Sequence, residues 1–225
     1  GFETIDIAAG QTLTLTQKQL FTNGNTFTVS GAGGTLAIVD DGASSKTFDL
    51  SGLQFAGGVA APSISVTAIA GGAVTSTAVT ITGPSVAASL TGGSAADTIT
   101  GGAGADTVVG GAGADSLVGG SGNDTVSYSD VTAATSHSLA NLSGMAINMS
   151  GATVTAANVA AATQILAPAS TVVIGGGAAV AGADLATGTA AYLATTAANS
   201  TTTMVRDTFS GFEAITGSAL KDVIY

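Results

Sequence analysis

At 225 residues the chain has room for one elongated domain or two compact ones. Only 8% of residues are charged, yet the net charge is −10, and four Lys and Arg cannot neutralise a run of phosphates, which argues against nucleic acid and anionic membranes as partners. Apolar residues make up 45%, more than a disordered chain carries, and without cysteine the fold has to be held by packing and by any bound metal.

The first unit, an N-terminal β segment expected over 1–60, alternates apolar and polar residues with period two. Its strand candidates are Thr4-Ile-Asp-Ile7, Thr12-Leu-Thr-Leu-Thr16, Thr26-Phe-Thr-Val29, Thr35-Leu-Ala-Ile-Val39 and Thr47-Phe-Asp-Leu50, punctuated by Asn-Gly and Gly-Gly turns. Gln17 to Phe21 has the length of one helical turn. Asp40-Asp41-Gly42 reads as an ordinary polar turn, with a further cation site as the alternative. A soft boundary follows at Gly57 to Pro62.

A second unit is expected over 61–130. Ile64-Ser-Val66 and Val79-Thr-Ile-Thr82 lead into it, and Ile81 and Leu90 stand at nine-residue intervals before Ile99. Gly83 to Thr91 is then a degenerate rung, with Ala88 where an acid would be needed to hold a metal. Four nonapeptides follow over 92–127: Gly92-Gly-Ser-Ala-Ala-Asp97-Thr-Ile-Thr100, Gly101-Gly-Ala-Gly104-Ala-Asp106-Thr-Val-Val109, Gly110-Gly-Ala-Gly113-Ala-Asp115-Ser-Leu-Val118 and Gly119-Gly-Ser-Gly122-Asn-Asp124-Thr-Val-Ser127.

Each nonapeptide joins a glycine turn ending in aspartate to a short strand with one large apolar residue: Ile99, Val108, Leu117 or Val126. A unit with one such side chain cannot bury it alone, so the units have to stack. Two of them make a coil of eighteen residues, and successive coils lie roughly 4.8 Å apart. This sets Asp97 beside Asp115 on one edge and Asp106 beside Asp124 on the other. Carboxylates held so close repel unless a cation lies between them. Glycines free the turn backbone to aim carbonyl oxygens at the same place. An all-oxygen cage of this kind suits calcium, which takes six to eight oxygen ligands at about 2.3 to 2.6 Å. The expected ligand set is Asp97, Asp106, Asp115 and Asp124 with the turn glycines Gly92, Gly101, Gly104, Gly110, Gly113, Gly119 and Gly122.

The four units resemble the RTX family of secreted bacterial proteins, whose signature is G-G-x-G-x-D-x-U-x. The resemblance implies an all-β fold, a right-handed parallel β-roll or β-solenoid, together with Ca2+ outside the cell and export by type I secretion. The first unit departs from the pattern, with Ala95 where the others have Gly104, Gly113 and Gly122. A looser cage is expected there.

The remaining 131–225 is expected to be a C-terminal β-rich segment. Its strand candidates are Met145-Ala-Ile-Asn-Met149, Thr171-Val-Val-Ile174 and Ala190-Ala-Tyr-Leu193, and Ala156 to Ala167 reads as a short helix. Gly, Ser, Thr and Asn interrupt it too often for membrane insertion. Asp207 to Tyr225 resembles the lead into a fresh repeat block, and Gly211-Phe-Glu-Ala-Ile215 echoes Gly1-Phe-Glu-Thr-Ile5, a phrase similar to one found in S-layer proteins and large adhesins. On this reading the chain is a segment of a longer one.

No catalytic set emerges. His137 is the only histidine, zinc sites need several such ligands, and neither H-E-x-x-H, G-x-S-x-G nor a Walker loop occurs. The reading is therefore not an enzyme but an extracellular, calcium-stabilised structural or surface-assembly segment: S-layer, filament or giant adhesin. The alternatives are a calcium-triggered folding and secretion module of a secreted hydrolase, and an adhesive domain for sugar or ice. Expected partners are other copies or tandem neighbouring domains of the same chain, with cell-surface polysaccharide a further candidate.

Overall fold

A computed structural model describes residues 4–21, 28–40, 46–56, 63–67, 69–70, 73–74, 77–129, 146–148, 164–166, 171–173, 188–194, 203–217 and 222–224. Period-two alternation becomes strand wherever it was expected among these. In Thr35–Val39, for example, Leu36 and Ile38 are fully buried while Thr35, Ala37 and Val39 face outward. Gln17–Phe21 forms a short helix that buries Leu20, and its Gln17 side chain donates to the Thr47 carbonyl.

Two sheets run the length of the stack. One takes Thr12–Thr16, Thr35–Val39, Ser63–Thr67, Ala88–Thr91, Thr107–Val109, Thr125–Ser127 and Ala214–Thr216 in parallel order, with Thr171–Val173 added antiparallel at its end. The other takes Thr47–Asp49, Thr80–Thr82, Thr98–Ala103, Ser116–Ser121 and Thr203–Ser210, also parallel. Beyond that strand it continues through Gly188–Ala194, Ala146–Asn148, Asp222–Ile224 and Gln164–Leu166, where mixed pairing, antiparallel except between Ala146–Asn148 and Asp222–Ile224, ends the regular stack. A third, parallel sheet of Thr4–Asp6, Thr28–Ser30 and Gln54–Phe55 belongs to the N-terminal coils alone. The chain is thus an all-β parallel solenoid.

Coil size changes along it. Thr4 pairs with Thr28 and Thr28 with Gln54, whereas Thr80 pairs with Thr98 and Thr98 with Ser116, a step of eighteen residues. The wide coils feed three sheets and the narrow ones two. The degenerate rung stacks as expected: Ile81 lies against Ile99, and Leu90 against Val108. Strand pairing crosses residues 60/61 through the Thr35–Val39, Ser63–Thr67 and Ala88–Thr91 ladder.

One expectation for the C-terminal part needs correction. Gln164–Leu166, placed in a helix by its alanine-rich surroundings, is a strand paired with Asp222–Ile224, because Ile165 and Leu166 find a sheet edge to join. The rest of the expected helix lies outside the described residues. Asp207 to Thr216 forms the next coil of the roll itself, with Phe209 against Leu117 and Ile215 against Val126. Asp40, the first residue of the expected polar turn, is buried and ion-paired to Lys46 at 2.6 Å, and Asp41 and Gly42 lie outside the described residues. Among the described residues no helix is long and apolar enough to cross a membrane.

Candidate metal centre

The strands fix where the turns lie. With Ile99 locked against Leu117 and Val108 against Val126, turn 92–97 sits over turn 110–115, and turn 101–106 over turn 119–124. Glycine at the first turn position is a steric requirement. A methyl group on Gly101 would strike the Gly119 carbonyl oxygen and Asp106 Oδ2, and one on Gly92 would strike the Gly110 carbonyl oxygen and Asp97 Oδ2. The missing side chain makes room for a carbonyl oxygen and a carboxylate oxygen together.

All four repeat aspartates are buried, at 2% exposure or less. Each accepts a hydrogen bond from the coil before it: Val79 N–H to Asp97 Oδ1 at 2.8 Å, Ala88 N–H to Asp106 Oδ1 at 2.7 Å, Asp97 N–H to Asp115 Oδ1 at 2.8 Å and Asp106 N–H to Asp124 Oδ1 at 2.8 Å. Stacking therefore brings Asp97 to Asp115 on one edge and Asp106 to Asp124 on the other. One carboxylate oxygen per residue is committed to this ladder.

The second oxygen separates the turns. In the first unit, Gly93 N–H donates to Asp97 Oδ2 at 2.5 Å. In the second, Asp106 Oδ2 is buried with no hydrogen-bond partner. The backbones differ accordingly: Gly104, Gly113 and Gly122 have φ of +103°, +140° and +140°, which an L-residue such as Ala95 rarely adopts. Burial pushes the Asp106 carboxyl up to about 7, against the pull of the Ala88 amide and with help from the Asp124 charge. Burial also raises Asp97, opposed by the amides of Gly93 and Val79.

A buried carboxylate oxygen without a donor, facing a like charge one coil away, is a demand for a cation. Among the described residues no three His, Cys, Asp or Glu side chains gather around one point. Carboxylates alone therefore do not make a cage, and the remaining ligands have to be turn carbonyl oxygens such as those of Gly110 and Gly119, which the glycine columns bring close. Such a donor set is all oxygen, which fits calcium and not zinc. His137 lies outside the described residues.

Sequence reasoning passed over two residues that the stack puts in the aspartate columns. Asp207 follows Asp115, whose N–H it accepts at 2.9 Å, and Glu213 follows Asp124, whose N–H it accepts at 2.7 Å. The signal was present as the acid-x-apolar triplets Asp207-Thr-Phe209 and Glu213-Ala-Ile215, which match Asp115-Ser-Leu117 and Asp124-Thr-Val126. Missing glycine pairs and the long interval from Ser127 hid it.

No curated protein and no solved structure matches the chain. Its central stretch does match a family model, that of the RTX calcium-binding nonapeptide repeat, in four copies over residues 91–126. Residues 91–126 of this solenoid are RTX repeats, and the cation their turns serve is Ca2+.

Proposed function

We propose that the chain is a structural segment of a secreted protein at the bacterial cell surface, a stiff β-solenoid locked by calcium outside the cell and belonging to an S-layer, filament or large adhesin. The observation that supports this reading most is continuity. The calcium-type coils do not hang from the rest of the chain as an appendage; the same two sheets run from Thr12–Thr16 and Thr47–Asp49 through the repeats to Thr203–Ser210 and Ala214–Thr216. A unit so built transmits load along its axis, and its partners are other copies or tandem neighbours. The wild-type residues Asp106, Asp115 and Asp124 hold calcium against the turn carbonyls, and Asp97, with both oxygens engaged by amides, holds it less tightly.

Light scattering and negative-stain microscopy with millimolar calcium or with chelator test this reading. Expected in calcium are elongated particles that associate through their ends or sides, and none in chelator. Compact monomers under both conditions, with calcium changing only the fold, would favour a folding and secretion module attached to an enzyme.

A further inference from the structure

The roll closes with a coil the repeats do not encode. After Ser127 the chain departs, and it returns with Ser116 paired to Thr208, Leu117 to Phe209, Val118 to Ser210, Val126 to Ile215 and Ser127 to Thr216. Phe209 and Phe212 fill the narrow interior edge-to-face, their ring centres 6.4 Å apart. This packing would be served as well by neutral residues at 207 and 213. Both positions carry acids.

Asp207 is 1% exposed and takes the Asp115 N–H as Asp115 takes that of Asp97. Glu213 takes the Asp124 N–H as Asp124 takes that of Asp106. The carbonyl column continues too. A methyl group on Gly119 would strike the Gly211 oxygen, as one on Gly101 would strike the Gly119 oxygen, and Gly211 has a φ of +68°. Asparagine or serine would accept the same amide bonds without adding charge to a column of buried acids, about 4.8 Å per step. The edge that Glu213 joins already holds Asp106 Oδ2, buried and without a hydrogen-bond partner.

We propose that Asp207 on one edge, and Glu213 with the Gly211 carbonyl on the other, supply ligands for the last calcium positions of the roll. Calcium bound there bridges segments that are 92 and 89 residues apart, from Asp115 to Asp207 and from Asp124 to Glu213, and so pins the returning coil at 203–216 to the repeats. This rests on the repeats being calcium sites, and it extends the metal-binding set beyond them.

The test uses the whole chain with Asp207→Asn and Glu213→Gln, each of which keeps an oxygen to accept its amide bond. Calcium stoichiometry is measured by calorimetry, and amide exchange of 203–216 by mass spectrometry across a calcium titration. Expected is a loss of about one ion per variant, with 203–216 exchanging faster below saturation while Thr98–Val109 stays protected. In the wild type, protection of 203–216 should rise with calcium occupancy. Unchanged stoichiometry and affinity in both variants, or full protection of 203–216 in metal-free wild type, would overturn the proposal. A wild type that binds no calcium would instead overturn the reading of the repeats.

Discussion

Two kinds of coil share one stack and are held together differently. Between Val29 and Leu50 the wide coils bury Val29, Leu36, Ile38, Phe48 and Leu50, all at 0% exposure, and Asp40, the acid buried beside them, is neutralised by Lys46. Between Thr98 and Asp115 a narrow coil buries only Ile99 and Val108 as large apolar side chains, together with Asp106 and Asp115. Width is what differs. Three sheets enclose a core that hydrophobic burial can hold, whereas two sheets leave a slot one side chain thick, flanked by acids that are costly without a cation. On the function proposed above, calcium does in the repeats what apolar area does in the N-terminal coils.

The most damaging way to break that division is to place a charge in the slot. Leu117 is 1% exposed and packs between Ile99 and Phe209 in the ladder. Its burial contributes about 1.5 to 3 kcal/mol, and an unpaired buried carboxylate adds a further penalty of comparable or larger size. Leu117→Asp should therefore unfold the repeats and the 203–216 coil at every calcium concentration while Thr12–Thr16, Thr35–Val39 and Ser63–Thr67 keep slow amide exchange. Unchanged thermal unfolding would place Leu117 outside the core.

Chelation comes next, because it removes the cation and leaves the apolar ladder. Many glycines in 92–127 give up backbone freedom on folding, at about 1 to 2 kcal/mol per ordered residue, and without metal the acid columns repel. Circular dichroism and amide exchange in chelator should show 92–127 open and Thr35–Val39 protected. Magnesium should restore little, since it demands a tight octahedral shell and holds its waters. A repeat block equally protected in chelator would show that two aliphatic residues per coil suffice.

The two kinds of coil also differ in how far they could be read in advance. The narrow coils were legible residue by residue, because an exact nine-residue period fixes register: Asp97 against Asp115 and Ile81 against Ile99 follow from counting. In the wide coils the strands were legible, but their stacking was not. Thr12 pairs with Thr35 and Thr35 with Ser63, steps of unequal length that no spacing rule announces. The return coil was the hardest. Asp207 joins the column of Asp115 across 92 residues, and a contact of that separation leaves only the acid-x-apolar triplet as its trace.

Within the repeats the comparison sharpens to one edge against the other. Asp115 belongs to the column of Asp97 and Asp207, and Asp106 and Asp124 to the opposite one. Asp115→Ala should lower the bound calcium count by about one and leave the other edge loaded, since each enclosed site draws on its own turns. Calorimetric titration reads the count. A mutant that binds as many ions as the wild type would mean that the carbonyls alone hold the metal there.

The smallest effect, and the one that separates the coils without any mutation, is the response to pH. In metal-free protein the Asp106 carboxyl is raised from 3.8 to about 7, chiefly by burial. A carboxyl with a raised folded pKa binds its proton more tightly in the folded state, so its contribution is fully present below pH 3.8 and is lost as pH climbs through about 7. Metal-free repeats should accordingly melt at lower temperature at pH 8 than at pH 5. With calcium the slope reverses, because the ligand is the ionised carboxylate and protons compete with the cation. Thermal melts of dialysed protein across this window, with and without calcium, should give two curves that converge toward acid pH and diverge toward alkaline pH, while protection of the wide coils, which contain none of the repeat aspartates, follows neither. Parallel curves would show that Asp106 neither carries a proton in the empty roll nor exchanges it for calcium.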